Sequence, residues 1–149
     1  MSRAIPKVRE LAERLVAYEM QGNRSSETKI PAACLATEKL RPHLAQLMGN
    51  TGFSALLSRA LALGIADAPW LRGVRVKSDG SFDGFEELGA KIDSDEVFGG
   101  CVVVLSHLLG LLVTFIGEEL TLRLVREVWP ELSPNDLVFG KGDKNEKAK

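Results

Sequence analysis

The chain has 149 residues, of which 45% are hydrophobic and 26% charged, and its formal net charge is −1. That length suits one domain with its own core. The near-neutral balance argues against a general affinity for nucleic acid, which needs a concentrated basic surface, so no nucleic-acid partner is expected.

The chain opens MSRAIPKVRELAERL, charged where the apolar region of a secretory signal would lie, so the expected compartment is the cytoplasm. Ile5, Val8, Leu11, Ala12, Leu15 and Val16 recur at three- and four-residue spacing, which predicts an amphipathic helix over Ala4 to Met20. After the polar stretch 23–29, Pro31 suits the first turn of a second helix, with Leu35, Leu40, Leu44, Leu47 and Met48 inward. Pro42 is expected to kink or break it near Arg41, and Gly49-Asn50 to end it. Thr51 then caps a third helix that faces Phe53, Leu56, Leu57, Ala60 and Leu61 inward and stops at Gly64.

The period changes at GVRVKSDGSFDGF, which predicts a small β-hairpin over 73–85 lying on the helices. Ser94, followed by Asp95 and Glu96, is the expected start of the next helix. Gly117 breaks or bends it, a further helix runs from Glu118 to Trp129 with Leu120, Leu124, Val125 and Val128 on one side, and Pro130 ends that. One further turn can follow Ser133-Pro134. The expected fold is therefore mostly α: one domain over 1–130, about five helices around a central apolar helix, and a polar tail over 131–149 that lacks fixed structure. Trp70 and Trp129, each beside a proline, are expected to cover the ends of the core.

Residues 97–117 hold no formal charge apart from what His107 carries, and are long enough to span a bilayer. The central His107, the acidic residues at both ends and the missing aromatic or basic belt argue for a buried core helix instead. A helix apolar all round also supplies what the amphipathic helices need to cover. On a wheel, Gly99, Ser106, Gly110 and Gly117 fall on one line, with Gly100, His107 and Thr114 beside it. Phe98, Leu105, Leu108, Leu109, Leu112, Phe115 and Ile116 take the other side, where the chain's own helices can cover them. A small-residue stripe admits a second backbone closely, so Gly99, Ser106, His107, Gly110 and Gly117 are the expected interface, with a second copy of the chain as partner.

Catalytic and cofactor motifs fail on inspection. DGSFDG at 79–84 opens like an EF-hand loop, but its twelfth position is Ala90. GFEELGAK at 84–91 lacks the lysine of a phosphate loop and carries Glu86 and Glu87. Cys34 and Cys101, far apart in sequence, read as two reduced buried thiols. No metal or cofactor is expected from two histidines and two cysteines without ligand spacing.

SHLLGLLVTFIG, from Ser106, resembles the phosphoacceptor helix of histidine-containing phosphotransfer domains. That resemblance implies a signalling relay with His107 as acceptor. It covers about a dozen residues; the lysine of the family pattern is leucine here, and Gly110 stands one residue early. The expected function is a non-enzymatic cytoplasmic regulatory or adaptor module acting through helix–helix association, as a homodimer. Phosphotransfer through His107 is the alternative, and a membrane protein anchored by 97–117 the third reading.

Overall fold

The computed structural model describes residues 6–22, 34–78, 80, 82–84 and 93–132. Three α-helices dominate: α1 (Pro6–Gly22), α2 (Leu35–Ile65) and α3 (Ser94–Val128). A short 3-10 helix, Pro69–Gly73, and a two-stranded antiparallel hairpin, β1 (Arg75–Val76) and β2 (Phe82–Asp83), connect α2 to α3. Of the EF-hand-like stretch 79–84, residues 80 and 82–84 are described and belong to the hairpin; the phosphate-loop-like stretch falls almost wholly outside the described residues, as do Pro31 and residues 133–149.

The expectation of about five helices is corrected to three, because Gly49 and Gly117 interrupt helices rather than end them. Gly49 (φ 83, ψ 160) and Gly117 (φ 91, ψ 162) hold dihedrals that only glycine adopts readily, and helix resumes at the next residue. Each interruption turns the chain back. Thirty residues of straight helix would span about 45 Å. Yet Cys34 is bonded to Cys101, and a Cβ on Gly64 would lie 3.0 Å from Val103 Cγ1, so both ends of α2 meet one short segment of α3. Likewise α3 touches α2 at Cys34 through Cys101 and again at Lys39, whose Nζ lies 5.8 Å from the Trp129 ring. The expected kink at Pro42 is absent as a break: the only non-helical dihedrals within α2 are at Gly49.

Burial follows the sequence periods. Val8, Leu11, Ala12, Leu15 and Val16 of α1 are all buried. α3 is buried without interruption from Gly100 to Leu109, and α1 and α2 both pack against it. Its N-cap is Asp93 rather than Ser94: the Asp93 carboxylate accepts from the Glu96 backbone N–H at 2.9 Å, satisfying one of the donors a helix start leaves open. The hairpin pairs Arg75 with Asp83 and Val76 with Phe82, and an Arg75–Asp83 ion pair at 3.2 Å ties its exposed side. Phe82 is buried, and Gly80 lies against the Phe53 ring, so the hairpin rests on α2.

The reading of two reduced thiols is overturned. Cys34 and Cys101 form a disulfide across 67 residues of chain, with Cα atoms 5.2 Å apart. Sequence distance hid a proximity that only the docking of the start of α2 on α3 creates. A second tie closes the other end of α3. Glu19 of α1, 4% exposed, accepts from the fully buried Trp129 Nε1 at 2.9 Å and pairs with Lys39 of α2 at 2.7 Å. Tyr18 donates to Glu131 at 3.0 Å, a bond that raises the phenol's pKa, so the ordered chain runs past Trp129.

Candidate functional site

The small-residue stripe on α3 is divided by the fold. Ser106 is fully buried and His107 is 4% exposed. Gly99 and Gly110 are half-buried and Gly117 is exposed. A Cβ built on any of these three glycines meets nothing within 4 Å. Gly100 differs: a Cβ there would collide with the Trp70 indole. The stripe therefore has a buried centre, Ser106 and His107, and open positions on both sides of it.

His107 lies beside Asp67, just past the end of α2, with Nε2 at 3.7 Å from Oδ2, too long for a hydrogen bond. Neither His107 Nε2 nor Ser106 Oγ has a hydrogen-bond partner among the described residues. Burial pushes the His107 imidazole below its ordinary pKa of 6.5; Asp67 opposes that shift, and Arg9 adds to it. A neutral, enclosed imidazole offers little to an incoming phosphoryl donor, which must approach a ring nitrogen in line. No group of three potential metal ligands exists among the described residues.

The exposed chemistry sits elsewhere, where the bends of α2 and α3 lie side by side. Phe115 is 65% exposed, Leu47 58% and Leu120 48%. Leu47, Ile116, Leu120, Arg123, Leu124 and Glu127 line a groove of about 220 Å³ between the first half of α2 and the returning half of α3. Gly117 directly follows Ile116, which lines this groove. Thr121 Oγ1 donates to the Gly117 carbonyl at 2.7 Å, tying the first turn of the returning half to the bend.

Sequence reasoning included Gly117 but missed Leu47, Phe115 and Leu120, assigning them to the inner face. The signal was available. A non-helical residue resets the phase of the wheel, so 118–128 needs a wheel of its own. On that wheel Thr121 and Val125 face inward, both fully buried, and Leu120 turns outward.

Comparison with known proteins found no matching family model, no similar curated protein and no similar solved structure.

Proposed function

We propose that the chain is a non-enzymatic regulatory or adaptor module that works through helix–helix association, as a homodimer. One observation carries this reading: Leu47 and Leu120 stand exposed on a groove near the bends, Phe115 is exposed two residues before Gly117, and nothing among the described residues lies where a Cβ on Gly117 would be. Soluble monomers seldom leave such a patch open unless it meets something. Cytoplasmic residence is proposed with it, on the condition that the Cys34–Cys101 bond persists there; both cysteines are buried, which shields the bond from reductants.

The phosphotransfer alternative loses support from the enclosure of His107. The membrane reading loses support in a similar way. α3 is long and apolar enough to cross a bilayer, yet 61% of its most apolar window is buried inside the fold. Sedimentation of the full chain over a wide concentration range tests the proposal. A monomer at every concentration would remove it.

A further inference from the structure

We infer that two copies of the chain meet through the returning half of α3, antiparallel about a twofold axis, with Phe115 of each copy entering the groove of the other. The inference rests on the helix-association reading and adds its surface and geometry.

Three features point to a second copy as the occupant. The first is charge order. Glu118 and Glu119 open this half-helix, Arg123 and Arg126 follow a turn later, and all four are exposed. A twofold axis at the level of Thr121 sets Glu119 of one copy opposite Arg123 of the other, twice, so the surface is complementary to itself. A parallel pairing would instead set like charges against each other.

The second is shape. Apolar cavities of about 150 Å³ accept a benzene ring. The groove of about 220 Å³ is therefore large enough for a phenyl side chain, and Phe115 is the most exposed large apolar residue described.

The third is access. Gly117 carries no side chain and faces open space beside Phe115, so another helix can approach the bend. The upstream part of the small-residue stripe is less suited to this, because Ser106 at its centre is fully enclosed by the monomer.

The test is sedimentation velocity on the full chain. The wild type is expected to dimerise. Phe115→Asp with Leu120→Asp should be monomeric, with an unchanged circular dichroism spectrum, because both side chains are exposed in the monomer. Glu119→Arg and Arg123→Glu should each weaken the dimer about tenfold or more. Combining the two should restore it, which loss of folding would not do. Gly110→Leu should leave association unchanged. A dimer that survives the Phe115/Leu120 pair overturns this surface while leaving helix association standing. So does failure of the combined charge swap to restore it. A wild type that stays monomeric overturns both.

Discussion

Gly100, Gly110 and Gly117 sit on one helix, and each is glycine under a different constraint. Gly100 lacks room, because Trp70 fills the place of a Cβ. Gly117 has room but holds φ 91. Gly110 has room, and its φ is not positive. Alanine scanning with urea unfolding should separate them. Gly100→Ala is expected to cost about 1–3 kcal/mol through overpacking. Gly117→Ala should cost about 1–3 kcal/mol through backbone strain. Gly110→Ala should stabilise by about 0.5–1 kcal/mol, since alanine restricts the unfolded chain and suits a helix better. The sequence wheel set all three on or beside one stripe, and composition cannot distinguish them; clash and dihedral appear only once the indole and the bend are in place. His107 was legible as a histidine of a buried helix interface, but the lack of a hydrogen-bond partner for its Nε2 among the described residues was not. Its folded pKa lies below 6.5, so as pH falls the unfolded chain takes up the proton first. The stability this neutral histidine contributes is complete above about 6.5 and is lost as pH drops from there toward the depressed folded value. Urea midpoints measured from pH 7.5 to 5 should fall more steeply for the wild type than for His107→Gln. Parallel curves would show that the group does not titrate in this way.

At the level of elements, hydrophobic period located α1 and the apolar run of α3 well, because a repeat of three and four residues survives whatever the helix packs against. Gly49 and Gly117 were legible as interruptions. What they do was not, since a glycine that ends a helix and one that folds it back look alike in sequence. The difference lies in distant contacts. Cys34–Cys101 and Glu19–Trp129 fix the two ends of α3 against α2 and α1, and a straight α3 would satisfy only one of them. The Glu19 tie joins all three helices and was invisible beforehand, because a glutamate on an amphipathic helix normally marks the solvent side. Here a buried Trp129 N–H needs an acceptor, and Lys39 supplies the countercharge. Glu19→Ala would leave the indole N–H without a partner. It is expected to cost about 2 kcal/mol, allowing for the part-exposed Lys39 to turn to water. Thermal melting measures this. Glu19→Gln, which can still accept from Trp129, should retain part of that stability. A Glu19→Ala protein that melts with the wild type would show that α1 docks without this bond.

At the scale of the whole molecule, the disulfide decides under which conditions the fold is stable. It closes a 67-residue span that contains nearly all of α2, the 3-10 helix and the hairpin. Restricting the unfolded chain over a loop of that size stabilises the native state by about 4 kcal/mol on the chain-entropy argument. That is a large share of the roughly 5–15 kcal/mol expected for any domain. The tie also acts where α2 meets the segment of α3 buried on all sides. Reduction should therefore loosen the core before it disturbs the bends, where no covalent link intervenes. Cys34→Ser with Cys101→Ser is expected to lower the urea midpoint sharply. Without reductant the protein should show no reactive thiol, folded or unfolded, since both cysteines are held in the bond; with reductant, thiols should appear readily only on unfolding, since both are buried. Thiol labelling under native and denaturing conditions, each with and without reductant, reads this directly. Two thiols appearing on unfolding without reductant would mean the bond is not formed. Slow loss of the bond under native conditions with reductant, at a rate that follows the opening of the fold, would show that burial protects it. Rapid reduction would instead restrict the folded chain to an oxidising environment, because about 4 kcal/mol is more than a marginal domain can lose without populating open forms.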